Sequence, residues 1–308
     1  MFMRERSSKH TQRPYAALFF LCLISLGLLA GCANTPASNA GATRPIPTSP
    51  SSIPTVAITA IDYGYIMPET ITVQAGLVDF AMVDNGTQPH QTQIARLKPG
   101  ITQDKVLDEL VTRRNQAAAF SLLTFVGGPD IVSPGYGQET ILTLSAGRYV
   151  LLCLVVGPDG VPHVNKGMIH FFTVAEASAQ ERGSPAPSPQ PDGKVMMTDS
   201  GYTLPAIITQ ARALTLQVTN WGSEPHEMNI VKLAVGKGIQ DIASFFQSPS
   251  GPPPFEETGG MAALEASGSG WIKIHLEPGN YAVLSFLPDR RTGKPQFTLG
   301  MITQFTVR

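Results

Sequence analysis

Cys153, His163 and Met168 lie in one short stretch, GRYVLLCLVVGPDGVPHVNKGMIHFFTV, residues 147–174. The chain has three cysteines, and two of them, Cys22 and Cys32, fall in or at the end of an export leader described below. Cys153 is then a single thiol with no intramolecular disulfide partner, so it is buried and inert, free to react, or bound to a metal. A thiolate, imidazole nitrogens and a thioether are the donors that copper takes in a trigonal His-His-Cys arrangement with a long axial methionine bond. The second imidazole has to come from elsewhere in the chain. His90, in VDNGTQPHQTQIARL (residues 83–97), is the strongest candidate. Each residue also has a plainer role: Cys153 as a small buried hydrophobe in a Leu/Val run, Met168 as a core filler, His90 as the end of a turn.

The order of these residues resembles that of the cupredoxins, the type 1 copper electron-transfer proteins. In that family one histidine follows a strand ending in an Asn-rich or Gly-rich turn, often as Pro-His. The other three ligands come in the order Cys, His, Met around the last loop. Asn85, Gly86, Pro89 and His90 match the first part, and Cys153, His163 and Met168 match the second. The H-x4-M spacing is in keeping with the family, but the cysteine spacing departs from it. Nine residues, 154–162, separate Cys153 from His163, where familiar members have fewer. A turn at Gly157, Pro158, Asp159 and Gly160 would let so long a loop fold back on itself. The resemblance implies one copper ion held by His90, Cys153, His163 and Met168. It also implies single-electron transfer with an unidentified redox protein rather than enzymatic turnover.

The elements that must position these donors form two copies of one pattern. GTQPHQTQIARLKPGITQDKVLDEL (86–110) aligns with GSEPHEMNIVKLAVGKGIQDIASFF (222–246), and residues 147–174 align with GNYAVLSFLPDRRTGKPQFTLGMITQFTV (279–307). A pattern that recurs at domain length indicates duplication of a whole fold, since solenoid periods are far shorter. His226 answers His90 and Met301 answers Met168, but Ser285 stands for Cys153 and Gln296 for His163. Without the thiolate, the second copy should lack a type 1 site. Glycines and tyrosines persist between copies as framework: Gly147/Gly279, Tyr149/Tyr281 and Gly167/Gly300. Short runs rich in Val, Ile, Leu and Thr and broken by Gly, Pro or Asn predict strands at 56–60, 70–74, 78–84, 90–97, 140–145, 149–156 and 168–174. Residues 103–120 instead show helical spacing after a capping Thr102, with a counterpart at 239–247. The expected fold is all-β: two tandem cupredoxin-like Greek-key β-sandwiches, each with a short helical insertion.

The flanks set the compartment. Arg4, Arg6, Lys9 and Arg13 precede an apolar run from Tyr15 to Ala30, which is too short and wrongly flanked for a permanent membrane helix. Its end, Leu29-Ala30-Gly31-Cys32, resembles the lipobox of bacterial lipoproteins, in which the cysteine is acylated and becomes the first residue. The layout is then a signal peptide at 1–31, a Ser/Thr/Pro-rich tether at 32–53, the first domain at 54–174, a Pro/Ser-rich linker at 175–193 and the second domain at 194–308. This places the protein in the cell envelope, outside the cytoplasm, held to a membrane by lipid. A net charge of −1 with 15% charged residues argues against nucleic acid as a partner. No His-x-His pair serves a trinuclear copper centre, and no phosphate loop or Ser/His/Asp set stands out. Two further functions use the same residues: a metal-free interaction protein on a degenerate scaffold, and copper scavenging or delivery. Cys32→Ser should abolish lipid labelling and release or misprocess the protein. Normal membrane retention of that variant would overturn the lipid anchor.

Overall fold

The computed structural model describes residues 52–68, 72–248 and 250–308. The expected signal peptide, Cys32 and nearly all of the expected tether lie outside the described residues. No helix among the described residues is long and apolar enough to cross a membrane.

Both repeats are built from the short β-rich runs expected. The first contributes β1 (Thr55–Ile61), β2 (Gly64–Ile66), β3 (Thr72–Gln74), β4 (Gly76–Asp84), β5 (Gln93–Leu97), β6 (Leu123–Gly127), β7 (Gly137–Leu144), β8 (Gly147–Leu152) and β9 (Ile169–Ala175). The second contributes β10 (Gly193–Thr198), β11 (Gly201–Thr203), β12 (Ala213–Asn220), β13 (His226–Leu233), β14 (Phe255–Leu264), β15 (Ser269–His275), β16 (Gly279–Leu284) and β17 (Ile302–Val307). One sheet takes β1, β2, β4 and β7 from the first repeat and β10, β11, β12 and β15 from the second, and the other sheet takes the rest, so the chain crosses repeatedly between the two layers. β12 alternates buried and half-exposed residues, as a strand with one face in a core must.

The repeats do not stand apart. β7 pairs antiparallel with β15, from Leu142 opposite Gly270 to Glu139 opposite Lys273. β14 runs beside β6 and the segment that follows it, with bridges Leu264 to Val126, Pro129 to Met261 and Val132 to Thr258. The result is one sheet of eight strands and one of nine, each continuous through both repeats. A single apolar core, including Phe80, Leu142, Met261, Leu264 and Ile272, follows them across the junction. Buried glutamines stitch it further. Gln93 accepts from the Ala263 amide at 2.8 Å and donates to its carbonyl at 3.1 Å, while Gln138 makes the same pair of bonds to Gly260. Each amide side chain thus acts as one more residue of a strand partner, pairing the backbone of Ala263 and Gly260.

The helical insertion of the first repeat is not one helix. It is Gln103–Leu107, a wide π turn at Asp108–Thr112, and a second helix at Gln116–Ser121. Thr102 caps the start as expected, its side chain accepting from Lys105 N. The break falls at Arg114, which takes a left-handed φ of 52°, and Asn115 then caps the new helix through Ala118 N. The wide turn lets the Leu110 carbonyl accept from Asn165 Nδ2, tying the insertion to the loop that carries His163. Its counterpart in the second repeat, Ile239–Gln247, runs where the sequence predicts it.

Gly128 and Gly260, at corresponding places in the two repeats beside the junction, mark close approaches of backbone within each repeat. Both have positive φ, and a Cβ there would sit 2.0 Å from Thr92 O and 1.8 Å from Met228 O respectively. We expect Gly128→Ala and Gly260→Ala each to cost about 3 kcal/mol or more, combining a steric clash with backbone strain. The control is Gly100→Ala, where φ is also positive but the space is open. Equal shifts of the urea midpoint in all three would show that these approaches are not tightly packed.

Candidate metal centre

His90 follows the turn after β4, and that turn is pinned from below. Asp84 Oδ1 accepts from Gly86 N at 2.8 Å, while Asp62 accepts from Thr87 N at 2.8 Å, Thr87 Oγ1 at 2.6 Å and Gln88 N at 3.3 Å. These bonds, the Thr87 hydroxyl foremost, hold the Asp62 carboxyl below its ordinary range. The His90 backbone is locked to Val132 in both directions, at 3.2 and 3.0 Å, and its ring is fully buried.

The long loop between Cys153 and His163 is a small hairpin. Gly157 N donates to Val161 O at 3.0 Å, Val156 bridges Pro162, and His163 N donates to Val155 O at 2.8 Å. The extra residues pair with one another, so Cys153 and His163 end side by side, with Val164 N donating to Cys153 O at 2.9 Å. Cys153 N donates to Met168 O at 3.2 Å and Met168 N to His163 O at 3.1 Å, closing the three residues into one knot. Gly167, with φ of 110°, supplies the left-handed turn that brings Met168 back into the core.

Side-chain bonds fix which ring nitrogen of His163 faces the thiol. Gln88 Nε2 donates to the Tyr63 hydroxyl at 2.8 Å, so Gln88 Oε1 faces His163 Nε2 at 3.2 Å and accepts its N–H. Nδ1 is left with its lone pair toward Cys153 Sγ, 3.6 Å away. Burial, followed by the His90 and Lys166 charges, pushes His163 down to about 4, and burial pushes the Cys153 thiol up to about 12. Without metal the pair is therefore a neutral S–H beside a neutral imidazole. Tyr63 packs edge-on against His163 with centroids 5.3 Å apart, and Lys166 caps the Tyr63 ring at 4.2 Å while pairing with Asp159.

His90 is the donor out of register. Its ring centre is 4.9 Å from that of His163, but its Nδ1 bonds Asp84 Oδ1 at 2.9 Å and its Nε2 has no hydrogen-bond partner, the nearest charge being Asp62 Oδ1 at 3.7 Å. The second repeat shows the other orientation. There His226 Nδ1 faces Gln296 Oε1 at 2.9 Å and Nε2 faces Asp199 Oδ1 at 2.9 Å. The glycine after each turn records the difference: Gly86 abuts the Cε1/Nδ1 edge of His90, and Gly222 abuts the Nε2/Cδ2 edge of His226. The two rings differ by about a half-turn.

Ser285 Oγ donates to Gln296 Oε1 at 2.7 Å, and Gln296 Nε2 donates to Pro225 O at 3.0 Å, so the second centre is closed by its own hydrogen bonds. Cys153, His163 and Met168 thus come together in the first repeat, with His90 beside them but turned. The donor types suit copper, yet among the described residues no three His, Cys, Asp or Glu side chains stand in ligating geometry. His170 lies on β9 and His275 at the end of β15. The sequence reasoning missed Asp62, Tyr63, Asp84 and Gln88, which orient the donors. Their signal was available by extending the alignment of repeats, where Asp62 answers Asp199 and Asp84 answers Asn220.

No family model matches the chain, and no curated protein matches it in sequence. Among solved structures it is similar to a dithionite-reduced auracyanin from Roseiflexus castenholzii, at 20% identity and a TM-score of 0.29, over 41% of this chain and 99% of that one. Auracyanin A, a blue copper protein from Chloroflexus aurantiacus, matches at 18% identity and 0.27, over 40% and 99%. A multicopper oxidase matches at 14% and 0.26, over 84% of this chain and 93% of its own. These likenesses concern layout only. Each repeat folds as a two-layer β-sandwich, and in the first the candidate donors lie at the β4–β5 turn and the β8–β9 loop.

In the metal-free protein the thiol is buried, protonated and committed to His163. A neutral thiol reagent at pH 7 should leave Cys153 unmodified in the native state and label it fully in denaturant. Rapid stoichiometric labelling of native protein would show the centre to be open.

Proposed function

We propose that the first repeat is a type 1-like copper centre for single-electron transfer, held by Cys153, His163 and His90 with Met168 as the weak axial donor. The observation that carries this is the buried approach of Cys153 Sγ to His163 Nδ1 at 3.6 Å, with the His163 N–H already spent on Gln88. Copper in such a donor set supplies reversible exchange of one electron between its two oxidation states. The chain's part is to release the thiol proton, to present the Nδ1 lone pair of His163, and to turn His90 as His226 is already turned. The knot of paired backbone around Cys153, His163 and Met168 leaves those three residues little room to rearrange. That favours electron transfer over substrate chemistry. The lipobox-like Cys32 and the Ser/Thr/Pro-rich stretch after it support a centre outside the cytoplasm within reach of a membrane-associated redox protein.

A metal-free interaction protein is the second reading, and one observation favours it. The Asp84 bond to His90 Nδ1 satisfies that ring atom without an ion, much as Gln296 satisfies His226. Asp84→Asn installs the residue of the second repeat, where the Asn220 amide donates to Glu224 O and Leu264 O instead of meeting the histidine.

Copper reconstitution of the chain, read by optical and EPR spectra, separates the two. We expect one equivalent with an intense thiolate-to-copper band, absent in Cys153→Ser. Asp84→Asn should bind copper more tightly, and Met168→Leu should keep the band with a raised reduction potential. His163→Ala should weaken or alter the spectrum. Failure of both wild type and Asp84→Asn to take up copper would leave the metal-free reading.

A further inference from the structure

Three carboxyl groups are buried where the two repeats join. Asp130 is fully buried on the segment that follows β6, Glu227 is 5% exposed in β13, and Glu257 lies in β14. Asn229, fully buried, lies beside both Asp130 and Glu257. Its amide makes no hydrogen bond of good geometry but lies close enough to both carboxyls to favour their charged forms, and Asp130 Oδ2 and Glu257 Oε2 have no partner of good geometry. Among the described residues no lysine, arginine or histidine pairs with any of the three acids. The other titratable groups that face them are Tyr202 and Cys153, with Tyr65 beyond Cys153. All three are uncharged at neutral pH, since burial raises each.

The repeat symmetry says how one acid is accommodated. Gln91 and Glu227 occupy corresponding positions. Gln91 Oε1 accepts from Leu154 N at 3.1 Å, and Glu227 Oε1 accepts from Phe286 N at 2.6 Å. Tyr65 donates to Gln91 O at 2.7 Å and Tyr202 to Glu227 O at 2.6 Å, so the frames match. Gln91 uses its other end, the Nε2 amide, to donate to Asp130 Oδ1 at 3.1 Å. Glu227 has no N–H to offer there, and it can imitate Gln91 only as a carboxylic acid.

We propose that Asp130, Glu227 and Glu257 form a shared proton-binding site at the junction of the repeats, occupied in the native protein at neutral pH. Three bare carboxylates could not be packed together without a cation, and among the described residues no group is arranged to hold a metal ion. Protons supply the missing donors instead. Burial pushes Asp130 up to about 6 and Glu227 up to about 8, and it raises Glu257 well above its usual range.

The sign follows from linkage. An acid whose folded pKa is raised holds more protons when folded, so its stabilisation is complete below the ordinary carboxylate range and is lost as pH rises through the folded value. His163 acts oppositely, because it is neutral when folded down to about 4 and protonates in the unfolded chain below about 6.5. Above about 6.5 the acids act without that opposition.

The test is urea unfolding of the metal-free chain as pH is raised from there to above the Glu227 value. Each proton lost should raise the unfolding constant about tenfold per pH unit. Glu227→Gln, which copies Gln91, should flatten the slope and unfold later at the alkaline end, and Glu257→Gln should reduce the slope as well. Infrared spectra of the native protein at neutral pH should show a protonated carboxyl band that shifts in heavy water and shrinks in Glu227→Gln. A flat wild-type profile, a slope unchanged in both variants, or no acid band in the native protein would overturn the proposal. Should the variants not fold, the wild-type profile and infrared band decide it alone.

Discussion

Backbone pairing along β6 with β14 and β7 with β15 is the constraint on which the remainder of this molecule depends. A strand edge left open is a template for any other chain, and here each repeat closes the edge of the other. The consequence reaches the candidate centre directly. Val132, which locks the His90 backbone, also bridges Thr258 of the second repeat, so the position of one donor is set by strand pairing across the junction. The buried glutamines Gln93 and Gln138 follow from the same contact, each bonding a backbone group of the second repeat.

Within this shared frame the two repeats solve one problem in two ways. A buried imidazole must have partners on its ring nitrogens, because an orphaned polar atom costs about 1–3 kcal/mol. The second repeat satisfies His226 with Asp199 and with a glutamine held by Pro225 and Ser285, and nothing there remains for an ion to do. In the first repeat Cys153 and His163 satisfy each other through a single long S–H to nitrogen contact, and His90 Nε2 has no partner. The less satisfied centre is the one with the soft donors.

Much of this was legible in the sequence, for identifiable reasons. Strands such as β4, β8 and β9 announce themselves through Val, Leu and Ile bounded by Gly or Asn, and the duplication is visible because Pro-His and Gly-Met recur at fixed places. The Cys153 and His163 pairing was legible as a candidate, although the spacing alone could not show that residues 154–162 pair among themselves. Three things were not legible. The junction was hidden because edge pairing leaves no distinctive residue, only the glutamines and glycines that fit it. The break at Arg114 was hidden because helical spacing continues across it. The ring orientation of His90 depends on Asp84, a residue six positions earlier whose role becomes visible only beside Asn220.

The same comparison exposes an exchange of charge between the copies. The first repeat has a carboxyl at Asp84 and an amide at Gln91, while the second has an amide at Asn220 and a carboxyl at Glu227. Each repeat thus carries one buried acid at this pair of positions, but in different places. In the first, the acid adjoins the imidazole at the donor cluster, where it holds His90 Nδ1 at 2.9 Å. In the second, the acid is withdrawn to the junction, beside Asp130 and away from any positive partner, where a proton can neutralise it. Exchanging a carboxyl and an amide across one turn therefore gives the two repeats different buried polar groups at the imidazole and at the junction.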